Sequence, residues 1–394
     1  MIQPQIYLAI SLVELGWIVG ALLAVFTWLS IVVLSLTWLE RKFLGRLQLR
    51  YGPTRTGLFG LLQPLADAVK LIIKEDIIPD SSDKALFWVA PIIVFIPAFM
   101  IWVTIPATQD LVLRNLELGL FYIIAFAVVG ILGLVLAGWG SANKYGVLGG
   151  LRSAAQLISY EIPIILVVVA VAILAESLDL TVIVTKQASL PYLVVFPLGL
   201  VLFFIAGLAE VGRTPFDIYH AESEVVGGPF VEYSGAHWSV FFLAEYINTF
   251  AIAALTTLLF LGGWLGPGPL WLGIVWFFLK VYAVILVIFW VRGTFPRLRI
   301  DQLMAFAWKV MVPLSFYAVV ITAVYKFYGW PGWTLTLMSL AGLYVVGYLV
   351  YRRMMAPVRR VREVKARQEQ LMSERKARRE EQLREQEGRL VNAE

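Results

Sequence analysis

Nine long apolar runs divide the chain, and they restrict its fold more than any other feature. They lie near residues 7–39, 86–107, 118–140, 156–175, 192–209, 239–263, 271–291, 308–328 and 333–351. A helix needs about 20 apolar residues to cross the hydrocarbon core of a bilayer. Only helices and closed barrels leave no backbone group unpaired there. Charged residues make up 15% of the 394, where a soluble domain carries about 25%. The expectation is an all-α, polytopic integral membrane protein of about nine transmembrane helices, with a membrane domain over residues 1–351 and a charged tail over 352–394. The first run exceeds a signal-peptide core and lacks both a basic n-region and a small-residue cleavage site. It is expected to remain as a tilted or projecting helix. The fifth run is short.

Basic residues sort the connections into two classes. The loop after the first run has eight Lys/Arg, those after the third, fifth and seventh have two, one and four, and the tail from Arg352 has thirteen. The other four connections have three between them. The positive-inside rule then puts the N-terminus outside and the odd-numbered loops and tail in the cytoplasm. The tail also explains the net charge of +5, because the remainder has as many acids as bases. Its composition reads as a frayed, solvated helix or a disordered segment, with binding to anionic lipid or a neighbouring subunit as the lesser alternative.

The first loop holds Leu58–Lys74, where Gln63, Asp67, Lys70 and Lys74 recur at helical spacing in an otherwise apolar stretch. This predicts an amphipathic helix, lying in the membrane interface or on a solvated surface, with Pro64 in its first turn.

No cysteine is present, so the chain itself holds no disulfide, thiolate zinc site or cysteine-ligated iron–sulfur cluster. The two histidines, His220 and His237, sit in or beside one loop and not within spans, which excludes a membrane bis-histidine haem. No phosphate-binding or dinucleotide-binding glycine motif occurs. The loop Ala209–Glu232 is instead acidic, with Glu210, Asp217, Glu222, Glu224 and Glu232 around a single Arg213. Loop seven, on the same predicted side, carries Arg292, Arg297 and Arg299. Pairing of Arg292 or Arg297 with Asp217, Glu222 or Glu224 would suffice to fold the two loops together. The interleaved Phe216, Phe230, Trp238 and Phe295 add the lining that an amphipathic head group needs. Within the runs lie Glu14, Glu161, Glu245 with Asn248 one turn on, and Lys280. Charges inside a bilayer cost about 2.5–3.5 kcal/mol on insertion scales, which points to a proton relay or to ion pairs that lock helices together.

The motifs WLERK (38–42), RYGP (50–53), QPLADAVK (63–70), QLISYE (156–161), RTPFD (213–217), EYSG (232–235), FFLAEY (241–246) and RGTFPR (292–297) occur in this order. Over about residues 10–328 the chain resembles the membrane subunit of respiratory complex I known as the H subunit in bacteria and as subunit 1 in mitochondria. The resemblance implies an all-helical subunit of an NADH:quinone oxidoreductase of the bacterial inner membrane. Such a subunit forms the membrane side of the quinone chamber and couples quinone reduction to proton translocation. It implies no cofactor on this chain, with quinone as substrate and the terminal iron–sulfur cluster in a neighbouring peripheral subunit. Partners would be the other subunits and membrane lipid, with no nucleic acid. The resemblance places Arg41, Asp67, Lys70 and Glu75 at the chamber's entrance and floor. It places Arg213, Phe216, Asp217, Glu222, Glu224, Arg292 and Arg297 around it. Glu161, Glu210, Glu232 and Glu245 correspond to acids leading toward the pumping subunits, and Lys280 to a basic position of the family. Tyr219 and His220 depart from the family pattern, which usually has an acid at the latter. The alternative is the membrane anchor of a related hydrogenase or ferredoxin-linked complex.

Overall fold

The computed structural model describes residues 12–218, 222–348 and 351–352, and every described secondary-structure element is helical. Seven helices are long and apolar enough to cross a membrane, and two shorter apolar ones accompany them. The described residues thus form a polytopic helical membrane protein. The expected tail, His220 and the side chains of Glu14 and Glu222 lie outside what is described.

The first helix, α1 (Leu12–Leu47), is 36 residues long. At 1.5 Å per residue it extends about 54 Å and projects well beyond the hydrocarbon core. After it comes α2 (Gln63–Ile73), with Pro64 in its first turn as expected. The helix begins later than the pattern from Leu58 suggests. Phe59 and Gly60 both take positive φ, and a Cβ on Gly60 would lie 2.3 Å from the Pro53 carbonyl. That contact forces a turn before the helix. Then follow α3 (Lys84–Met100), α4 (Gly119–Gly140), the 32-residue α5 (Lys144–Ala175) and the short α6 (Leu180–Lys186).

The expected run 192–209 is not one helix. It divides into α7 (Tyr192–Val195) and α8 (Pro197–Glu210), with Phe196 at φ −134° and ψ 61° between them. A residue preceding proline is driven out of the helical region, so Pro197 starts a new helix.

One turn, α9 (Glu222–Val225), lies in the acidic loop before α10 (Gly235–Phe260). Beyond it are α11 (Gly273–Thr294) and α12 (Ile300–Tyr328), the latter with a π turn at Ala307–Met311. An apolar helix, Gly332–Tyr348, follows. The first compact unit ends at Ser339, and the second begins at Leu340.

The centre of the first unit is α10, whose apolar window is 72% buried against 17% for α1. Its C-terminal half is rich in small residues, including Ala251, Ala253, Ala254, Thr256 and Thr257. These allow neighbouring backbones to approach closely. The hydroxyls of Thr249, Thr256 and Thr257 each donate to the carbonyl four residues earlier, so these three polar groups are satisfied within the helix itself.

Two contacts fix the acidic loop against α5. The Nε2 of buried Gln156 donates to the carbonyls of Ala209 and Phe216, both at 2.7 Å. Gly149 lets the backbone of Gly228 approach so closely that a Cβ would lie 2.4 Å from its Cα. Replacing Gly149 with Ala should cost about 1–3 kcal/mol through overpacking. Gly20→Ala, with nothing within 4 Å of the added carbon, should stay within about 0.5 kcal/mol. Thermal dissociation of the assembled protein, followed for both variants, checks the contrast.

Candidate functional site

At the end of the bundle where α8 runs into the acidic loop, an open cavity of about 780 Å³ is walled by that loop, α10 and the end of α11. Arg213, Asp217, Glu245, Arg292 and Arg297 contribute its charges, and Phe230, Trp238, Phe241, Phe242 and Tyr246 its aromatic wall. This mixture suits a flat, amphipathic ring with polar substituents.

The charged wall is organised by a residue that sequence patterning did not single out. Glu40, only 4% exposed, lies near the end of α1. It is ion-paired to Arg292 of α11, stands 3.7 Å from Arg213 and accepts a 2.7 Å hydrogen bond from the Tyr246 hydroxyl of α10. Arg213 also pairs with Glu245 at 3.2 Å, and its guanidinium lies over the Tyr246 ring, 4.5 Å from the centroid. Two carboxylates and two guanidiniums thus form a nearly neutral cluster across α1, α10, α11 and the acidic loop. A sequence signal did exist. Leu29, Val33, Leu36 and Glu40 recur at helical spacing and are all buried, so the core-facing stripe of α1 continues into Glu40.

Of the pairs expected between loops five and seven, Arg297–Asp217 forms at 3.0 Å. The Leu298 N–H also donates to the Pro215 carbonyl, which joins the two loops through their backbones. Arg292 pairs with Glu40 instead, and Glu224 pairs with Arg152 of α5 at 2.6 Å. Phe216 does not line the cavity. It is buried against Tyr160 and Phe306, where it anchors the loop from behind. Phe295 is exposed beyond the rim.

Arg41, Asp67 and Lys70 form a separate cluster where α1 meets α2. Arg41 binds Asp67 at 2.5 Å, while Lys70 stands 3.9 Å from it and Gln63 donates to its other oxygen. Glu75 is exposed on the segment after α2. That segment is held to the start of α10 by a hydrogen bond between Asp76 and His237 Nδ1, with the His237 ring against Trp88, and by the Ile77 N–H donating to Ser234 Oγ. Glu232 accepts a hydrogen bond from Asn143 at 2.5 Å. Close by, burial among aromatic rings pushes the Tyr233 phenol above its ordinary range.

Behind the open cavity lie two further spaces within the helices. The first, a space of about 60 Å³, shares Phe230, Phe241 and Glu245 with the open cavity and is also lined by Glu210 and Asn248. The second, about 80 Å³, shares Glu210 and Asn248 with the first and adds Glu161. Glu245 therefore faces both the open cavity and the interior, and Glu210 faces both interior spaces. One oxygen each of Glu161 and Glu210 is buried without a hydrogen-bond partner in the protein. Lys280 is not part of this series. It donates to backbone carbonyls at the opposite end of α10.

Removing one member of a buried ion cluster leaves the others uncompensated and typically costs about 3–5 kcal/mol. Glu40→Ala should therefore sharply reduce the amount of assembled protein in membranes. Arg297→Ala, which opens a partly exposed pair, should leave assembly within about twofold. Quantitative immunoblots of membranes give both values.

The model of the NADH dehydrogenase family matches residues 20–323. Among curated proteins, the H subunit of NADH-quinone oxidoreductase from Dehalococcoides mccartyi is 48% identical over 302 residues, 77% of this chain and 85% of the relative. The same subunit from Geobacillus kaustophilus is 48% identical over 316 residues, covering 78% and 92%. That of Brevibacillus brevis is 47% identical over 313, covering 79% and 93%.

Proposed function

The chain belongs to the family of NADH-quinone oxidoreductase H subunits, and on that premise we propose that its open cavity is the membrane side of a quinone chamber. The series of cavities joined by Glu245 and Glu210 carries this reading. A chamber alone would need only the charged wall. A chamber that couples chemistry to proton movement needs titratable groups leading away from it.

In this reading the quinone ring lies against Phe230, Trp238 and Phe242. Arg213, Asp217, Arg292 and Arg297 supply the surrounding charges, with Phe216 fixing their loop. The cluster of Arg41, Asp67 and Lys70, with Glu75, forms the entrance and floor. Glu222 and Glu224 belong to the acidic loop that responds to the chemistry. Electrons come from a cluster in a neighbouring peripheral subunit. Reduction of the quinone to the neutral quinol takes up two electrons and two protons, so the chamber gains negative charge when the electrons arrive ahead of the protons or when the protons are drawn from its own acids. At an effective dielectric of about 20, a unit charge about 4 Å away is worth about 4 kcal/mol. That is ample to alter the protonation of Glu245 or to move the acidic loop. The change then passes through Glu210 to Glu161, with Glu232 at the side. Lys280 stands apart from this route, as a positive charge at the far end of α10.

The orientation follows from the basic loops, with the N-terminus outside and the chamber on the cytoplasmic side of a bacterial inner membrane. The other membrane and peripheral subunits and lipid are the partners.

Glu245→Gln preserves shape and removes the negative charge. Glu245 is partly exposed to the cavity and Arg213 keeps Glu40 as a partner, so the enzyme should still assemble, in somewhat reduced amount, while quinone-linked proton pumping per assembled enzyme in inverted vesicles falls by about tenfold, equivalent to about 1.4 kcal/mol. Wild-type pumping in that variant removes Glu245 from the route. Absence of label between residues 213–238 and 292–297 with a photoreactive quinone removes the chamber assignment.

A further inference from the structure

Lys280 is the eighth residue of α11, and its Nζ donates to the carbonyls of Leu261 at 2.7 Å, Gly263 at 3.0 Å and Leu265 at 2.6 Å. Side chains on a helix lean toward its N-terminus. From this position the ammonium reaches back to the loop that joins α10 to α11. Among the described residues no carboxylate pairs with it. Its three protons meet three neutral oxygens.

The loop is shaped for this by its own sequence. Gly262 and Gly263 have φ of 71° and 49°, two consecutive left-handed residues, and any Cβ on Gly263 would lie 2.9 Å from Val184. The turn they make brings the carbonyls of residues 261, 263 and 265 to one point. Other side chains hold the turn from outside. The Gln187 amide donates to the Leu258 carbonyl at 2.8 Å and accepts from the Gly262 N–H at 3.0 Å. Trp276, one turn before Lys280 on the same face of α11, donates to the Pro267 carbonyl at 3.0 Å. The ring of oxygens is thus braced independently of the group at its centre.

Backbone carbonyls converging on one point are the coordination that a dehydrated potassium ion takes in a selectivity filter. The unpaired carbonyls at the end of a helix add partial negative charge. We propose that the turn Leu261–Leu265 is a monovalent-cation cage that the tethered ammonium of Lys280 fills, making Lys280 a positioning residue for α10 rather than a proton carrier. A proton carrier needs a neighbour that can take up and return its proton, and three amide carbonyls cannot. What the ammonium does supply is a permanent charge that holds the far end of the helix bearing Glu245 and Asn248.

The test uses the intact, purified enzyme carrying Lys280→Met, which keeps the side chain as far as Cε and removes the charged nitrogen. Stability is read as the temperature at which the subunit leaves the complex, in choline chloride and in potassium chloride of equal ionic strength. The wild type should be indifferent to the exchange. The variant should dissociate several degrees lower in choline, and potassium or rubidium, but not lithium, should recover at least half the difference through binding to the emptied cage. A Lys280→Met enzyme as stable as wild type in choline, or one that potassium does not stabilise, overturns the proposal. If Lys280→Met leaves no assembled enzyme, Lys280→Arg decides, because a guanidinium stays charged at every accessible pH. Assembly with quinone-linked pumping within about twofold of wild type supports a fixed charge. Failure to assemble, or a larger loss of pumping, overturns it. The stability measurement makes no use of quinone, so it separates failure of this inference from failure of the quinone reading.

Discussion

Everything at the open end of the bundle depends on a carboxylate buried between two arginines. Taking Glu40 out of water is unfavourable by several kcal/mol, as it is for each guanidinium. Their geometry offsets that because Glu40 meets Arg292 and Arg213 and also accepts from Tyr246. Four segments distant in sequence thereby share one nearly neutral knot. The knot also decides how the loops pair. Arg292 is committed to α1, so the acidic loop must find other partners, and Asp217 takes Arg297 while Glu224 takes Arg152. The cavity keeps Arg213 and Arg292 in its wall with their charge largely spent inside the protein.

From that knot the consequences run along α10. Near the open end, Glu245 reaches Arg213 while lining the space behind it, and His237 ties the helix to the segment after α2. At the other end, Gln187 and Lys280 hold the carbonyls of its last turn and of the loop beyond. A helix fixed at both ends, with cavities against its middle, yields little to a local charge change by moving as a whole. On the proposed reading the response then falls on the acids along the cavities and on the acidic loop.

Much of this was legible in the sequence. Seven of the apolar runs are single helices, because length and hydropathy determine spanning almost alone. Asp217 with Arg297 was readable because opposite signs on neighbouring loops of one membrane face have few other partners. The broken run at 192–209 was signalled by Pro197, whose effect on Phe196 is local. Glu40 was hidden by its position. It sits beside Arg41 and Lys42 at the end of an apolar run, where charges normally meet the interface, and only the continuation of α1 to Leu47 turns it inward. Phe216 was misjudged as lining because loop composition says which rings are near a site, and only the backbone path says which way each one faces. The three-carbonyl partner of Lys280 was beyond reach, since backbone acceptors leave no mark in the sequence except the two glycines that shape them.

The acids of the chain look alike in sequence, and the structure separates them by what surrounds each one. Glu224 and Glu232 have polar partners on neighbouring segments, and their charge is accommodated where they stand. Glu40 is held by two cations. Glu161 and Glu210 face an interior cavity with an oxygen lacking any protein donor. A carboxylate so placed gains little from being charged unless something nearby supplies a compensating charge, so its proton is sensitive to events at the next cavity. Glu245 lies between these classes, paired with Arg213 yet lining the interior. On the proposed reading, a charge change at the open cavity meets Glu245 first, because it is the acid that lines both that cavity and the space behind it.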